Sequence, residues 1–126
     1  MRAETVPWWR QAEADLYTAE VNMAAGQFYA VSWFAQQAAE KALKALHVER
    51  HQQLASRTHD LTLLGARLDV PGPVEADLEN LNPAFDLARY PDDQGLPPVD
   101  AVDKQRATSH IDAARRIVAW VSSEIS

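Results

Sequence analysis

The chain has 126 residues, with 12 Lys and Arg against 18 Asp and Glu, a net charge of −6 and no cysteine. That length supports one domain with a substantial core, and the lack of cysteine excludes disulfides, thiolate metal sites and cysteine nucleophiles. The acidic balance excludes broad, nonspecific nucleic-acid binding by the whole surface and leaves room only for a local basic cleft.

No apolar run approaches the roughly 18 to 20 residues needed to cross a bilayer, so no membrane association is expected. The segment MRAETVPWW holds no signal-peptide core, and the expected location is the cytoplasm. Four Trp in so short a chain is high. Their base rate favours the core, and those that one small bundle cannot hide point to a dimer interface.

Residues from about 5 to 25 read as the first helix. Thr5 is the candidate N-cap, and Pro7 fits the first turn, where its missing N–H costs nothing. Trp8, Ala12, Leu16, Ala19 and Met23 follow helical spacing, and Gly26 is a C-terminal stop. The link at Gly26–Gln27 is short enough to make the next helix pack antiparallel to the first.

The stretch from Phe28 to His47 holds neither Gly nor Pro and predicts the central helix. Val31, Phe34, Ala35, Ala38, Ala42 and Leu46 recur every three or four positions, and Trp33, Leu43 and Ala45 widen that apolar face. Such a helix belongs between others. Residues 48 to 57 are polar and predict a loop. Thr58 then reads as an N-cap with Asp60 in the first turn of a short helix carrying Leu61, Leu64 and Leu68. The segment Val70 to Pro73 breaks that helix, and Pro73 opens a fourth with Val74, Leu78 and Leu81 on one face.

From Pro83 to Pro98 the periodicity is lost, and four of the seven prolines fall there. The expectation is a long Pro-rich loop at 83–98, a length usually functional or mobile in a compact domain. Asp100 to Ile125 resumes a helix with Val102, Ala107, Ile111, Ala114, Val118, Val121 and Ile125 on its buried stripe and Trp120 beside it. No strand pattern competes. The predicted fold is all-α, an up-and-down antiparallel bundle of three long helices and two short ones, forming a single domain over 1–126.

Several stretches, taken in order, resemble a known family. They are Trp9, Ala12, Asp15 and Leu16; then Gly26, Phe28 and Tyr29; then QQAAEKALKAL from Gln36 to Leu46. THDL from Thr58 to Leu61 and ARYPD from Ala88 to Asp92 follow, before the long amphipathic C-terminal helix. In this combination the chain resembles the HEPN domain, the "higher eukaryotes and prokaryotes nucleotide-binding" domain. The resemblance implies a helical bundle that commonly forms a homodimer. It also implies, as for many bacterial members, a small nucleotidyltransferase partner in a toxin–antitoxin pair. Catalytic members are metal-independent ribonucleases that use an Arg followed, after four to six residues, by a His. There the His would move the proton of a ribose 2′-OH and the Arg would stabilise phosphorane-like charge.

That motif is missing here. From Arg89 the required positions hold Gln94, Gly95 and Leu96, and the nearest approach, Arg106 with His110, is one residue short. The favoured reading is therefore a non-catalytic or divergent HEPN protein, a homodimeric interaction module with a nucleotidyltransferase partner and with nucleotide or RNA as a candidate ligand. The alternative is a metal-independent endoribonuclease toxin using Arg89 with a displaced His59 or His110.

The candidate ligand-binding residues are Lys41, Lys44, His59, Arg89 and Tyr90. Arg89 could hold phosphate while Tyr90 stacks on a base; alternatively Arg89 pairs with Asp86 or Asp92 and Tyr90 plugs the end of the bundle. His59 could shuttle a proton with Asp60 setting its tautomer, or pack against the bundle while Asp60 caps the helix. Lys41 and Lys44 lie three apart beside Gln37 and read either as a solvated face or as a phosphate cleft. Arg115 and Arg116 suit the negative end of the last helix dipole. His47 and His51 are spaced for a metal only if both are helical, and with no third ligand in view neither a metal nor a cofactor is expected.

Overall fold

The computed structural model describes residues 1–126 and is entirely helical. Three long helices carry the architecture: α1 (Val6–Ala24), α2 (Phe28–His51) and α7 (Lys104–Ile125). Four shorter ones, α3 (Leu61–Ala66), α4 (Gly72–Leu81), α5 (Ala84–Leu87) and α6 (Pro98–Ala101), fill the space between the second and third long helices. The expected all-helical bundle is what forms, with four short helices in place of the two expected.

The turn from α1 to α2 follows from Gly26, which adopts φ +73°. Its N–H donates to Met23 O and the Gln27 N–H to Asn22 O, so the last carbonyls of α1 are satisfied within two residues and α2 must run back along α1. Thr5 does not cap α1. Its hydroxyl instead donates to Glu49 Oε1 at 2.9 Å, tying the start of α1 to the far end of α2.

α2 lies at the centre and packs most extensively against α1 and α7. Ala35, Ala38, Ala39, Ala42 and Ala45 are completely buried, and their small side chains let neighbouring backbones approach closely. Leu43 and Leu46 belong to the same cluster as these alanines, with Leu61, Leu64, Leu68, Leu78 and Leu81, which α7 completes with Ile117 and Val121. A smaller cluster of Ala19, Val31, Val102, Ala107 and Ile111 closes the opposite end. Trp33 departs from the expected apolar face: it is 36 % exposed.

Other boundaries also differ from the sequence expectation, each for a tertiary reason. α2 runs one turn past His47, because Val48 is buried and Glu49 accepts from Arg2 N and Thr5 Oγ1. Asp60, not Thr58, caps α3; its Oδ1 accepts from Thr62 N and Leu63 N, and Thr58 Oγ1 accepts from Asp60 N. The 83–98 stretch is not loop throughout, since α5 occupies Ala84–Leu87 and irregular backbone is confined to 88–97. The last long helix begins at Lys104 rather than Asp100. Val102 is extended and buried, and Asp103 accepts from Arg106 N at 2.8 Å as a new cap.

Candidate functional site

The sequence candidates fall into two separate places. Along one side of α2 lie Trp33, Gln36, Gln37, Glu40, Lys41 and Lys44, flanked by α1 and by the segments carrying His59 and Arg89. The other place is a cleft of about 520 Å³ between α7 and the α5–loop segment.

On the α2 side the cations are already engaged. Lys41 Nζ meets Asp15 Oδ2 at 2.5 Å, and Asp15, which also accepts from Gln11 Nε2, is 4 % exposed. Lys44 Nζ donates to Glu40 Oε2 at 3.0 Å, and its charge lies 5.7 Å from the centre of the Trp8 ring. Gln37 Nε2 donates to Gln36 Oε1, and the wholly buried Gln36 donates in turn to the carbonyl of His59 at 3.1 Å. Lys41 and Lys44 are thus each paired with a carboxylate rather than lying on an open solvated face, Lys44 buried and Lys41 half-buried.

Arg89 pairs with neither Asp86 nor Asp92. Its Nη1 donates to Phe85 O at 2.9 Å, and the guanidinium carbon lies 3.8 Å from the Trp33 ring centre and 3.7 Å from that of Phe85. Phe85 stacks in turn on His59, with ring centres 3.6 Å apart and planes within 4°. The chain therefore brings Arg89 and His59 to one aromatic column, through Phe85 rather than directly. Burial against these rings lowers the Arg89 pKa, offset by the charges of Glu40, Tyr90 and Asp86. An arginine lying against two rings gains cation–π attraction and has a single polar contact.

Tyr90 does not plug the bundle. It is 57 % exposed and lines the cleft with Asp86, Asp92 and Asp93. Opposite them α7 supplies Arg106, Ser109 and His110. His110 is 5 % exposed, its Nδ1 lies 2.7 Å from the hydroxyl of the buried Ser32, and burial followed by the Arg106 charge lowers its pKa to about 4. It is neutral at pH 7. Arg89 does not line this cleft, so the pairing of Arg89 with His110 is not made within the protomer.

His47 and His51 are both helical, with ring centres 4.7 Å apart, and no group of three or more His, Cys, Asp or Glu side chains is placed to hold a metal ion. Arg115 and Arg116 hold Glu20 and Asp77 rather than the helix end. No helix is long and apolar enough to cross a membrane.

Sequence reasoning missed Asp15, Ser32, Gln36 and Glu40. The signal for Asp15 was present, because it falls in the buried register between Ala12 and Ala19. Gln36 likewise lies among alanines on the apolar face of α2, where only a bonded polar group is tolerated.

An all-helical bundle with a polar seam on its central helix defines a class, and comparison with known proteins gives the family. The HEPN domain model matches residues 5–125, and the chain belongs to the HEPN domain family. It is similar to a crystal structure from Thermus thermophilus, at 30% identity over 98% of this chain and 99% of that one, with a TM-score of 0.89. It is also similar to an archaeal HEPN homologue, at 28% identity over the full length of both, with a TM-score of 0.83. A HEPN domain protein from Thermotoga maritima shares the fold at 23% identity, over 92% of this chain and 94% of that one, with a TM-score of 0.68. No curated protein matches the chain.

Proposed function

We propose that this HEPN protein is a non-catalytic interaction module, a homodimer that engages a nucleotidyltransferase partner. One observation carries the reading: the cationic candidates on the α2 side are engaged inside the protomer. Arg89 lies against Trp33 and Phe85, Lys41 is held by Asp15, and Lys44 by Glu40. Trp33 and Tyr29 share one stripe of α2, each more than a third exposed, and Tyr17 and Val21 are exposed on α1. Exposed aromatic residues beside an arginine are the composition of interface anchors, which supports the dimer and the partner. Nucleotide or RNA as a further ligand draws less support, because the cleft between α7 and the α5–loop segment carries three aspartates against one arginine.

A second reading, the metal-independent endoribonuclease, rests on Arg106 and His110 sharing that cleft. RNA cleavage in EDTA separates the two. The module reading expects no cleavage by a sample shown to be folded, a dimer mass by light scattering, and co-elution with a purified small nucleotidyltransferase. Cleavage abolished by Arg106→Ala or His110→Ala, in variants with wild-type circular dichroism, would establish the enzyme instead. A monomer that fails to co-elute would remove the module.

A further inference from the structure

The cleft between α7 and the α5–loop segment has two walls of opposite chemistry. The α7 wall holds Arg106 and His110, and the facing wall holds Asp86, Asp92 and Asp93. Asp92 Oδ1 is occupied, accepting from Gln94 N and Leu96 N. Asp86 and Asp93 form no ion pair within the protomer, and neither does Arg106, whose guanidinium donates only to the Ala101 carbonyl.

The hydrogen-bond network fixes what His110 offers. Ser32 is completely buried, and the only partner of its hydroxyl is His110 Nδ1. If Nδ1 carried the proton, the Ser32 O–H would be buried with no acceptor, a costly arrangement. The hydroxyl therefore donates to Nδ1, and the ring proton sits on Nε2. Every side-chain nitrogen or oxygen sealed from solvent has a partner, so the unpartnered Nε2 reaches open space, and the surface His110 lines is this cleft. An almost wholly buried imidazole thus presents one N–H donor, held in place from behind, into a cleft that also holds a guanidinium.

We propose that this cleft binds a small zwitterionic ligand of the basic amino-acid class, its carboxylate on Arg106 and His110 Nε2–H and its cationic groups on the aspartate wall. The ligand carboxylate matches Arg106, and its two cations match Asp86 and Asp93, the two carboxylates that accept no hydrogen bond. A purely cationic ligand would leave the α7 donors unmatched, and a purely anionic one would face three carboxylates. At about 520 Å³ the cleft falls within the range of small-molecule sites and has room for water beside the ligand. The assignment does not depend on whether the protein dimerises or has a partner.

The probe is L-arginine, titrated into the full chain and followed by amide chemical shifts. Saturable shifts are expected at Ser109 and His110 and across residues 86–93. Agmatine, which keeps both cations and lacks the carboxylate, is expected to bind more weakly by about tenfold or more, since the contacts to Arg106 and to His110 Nε2–H are both lost. Arg106→Gln changes an exposed side chain, so the fold is kept, and it should abolish the preference for L-arginine over agmatine. His110→Gln should do the same if it folds. No saturable shifts, equal binding of agmatine, an unchanged preference in Arg106→Gln, or tighter binding of guanosine monophosphate at the same residues would each overturn the assignment.

Discussion

The guanidinium of Arg89 lies 3.8 Å from the centre of the Trp33 ring, on a side chain that the local sequence presents as a phosphate ligand. The contact joins the irregular 88–97 segment to the central helix. Arg89→Ala should lower stability by about 1–2 kcal/mol through lost cation–π attraction and packing. Arg89→Lys should recover only part of it, because an ammonium cannot lie flat on two rings and donate to Phe85 O as well. Urea denaturation of the two variants reads this directly; equal loss in both would mean that the planar stacking contributes nothing.

The Asp15–Lys41 pair should be costly to break from one side. Asp15→Ala leaves Lys41 without its counter-ion and is expected to cost about 1–3 kcal/mol, while the Asp15→Leu, Lys41→Met double variant should recover much of that. A double-mutant cycle by thermal unfolding gives the coupling, and additive single losses would show that the two charges act independently.

Stability should fall on mild acidification because of His110. Its pKa is about 4 in the folded protein and 6.5 in the ordinary imidazole. Between those values the unfolded chain binds the extra proton, so stability is fully present above about pH 6.5 and is lost as pH drops towards 4. The loss at the acid end is at most about 3 kcal/mol. His110→Gln should flatten the pH dependence in that window, and a slope unchanged by the substitution would show that other groups set it.

Asp60 caps α3 and also accepts from Thr62 Oγ1 and Asn82 Nδ2. These bonds, the Thr62 hydroxyl first, hold its carboxyl below the usual range. Asp60→Ala should cost about 1–2 kcal/mol at pH 7. In chemical denaturation across a pH series, the cost should shrink below about pH 4, where the unfolded carboxylate begins to protonate and the native advantage is lost.

Close approach of α3 to α4 gives a steric prediction. A β-carbon on Gly65 would collide with the Leu78 side chain, which is 1 % exposed and has little room to move. Gly65→Ala should therefore destabilise by about 1–3 kcal/mol despite its better helix propensity. A Tm at or above wild type would show that Leu78 can change rotamer.

The bundle was legible in the sequence because burial imposes a period. Ala12 and Ala19, Ala35 to Leu46, and Ala107 to Ile125 lie on the faces that their spacing indicated. What failed were the places where a partner distant in sequence decides. Val48 and Glu49 are polar-loop residues by neighbourhood and helical by contact with Arg2 and Thr5. The contacts of Lys41 with Asp15 and of Arg89 with Trp33 escape a local reading, because neither partner is visible as a neighbour in a linear chain. His110 was named for an Arg89 partnership that the fold does not make. Its relation to Ser32, 78 residues away, was beyond any local pattern.

The three-residue connection Ala25–Gly26–Gln27 bears on the order in which the molecule assembles. It places the faces of α1 and α2 together at minimal loop-closure entropy, whereas α2 and α7 meet only after more than 50 residues have been threaded between them. The α1–α2 hairpin is thus the natural folding nucleus, with α7 docking late.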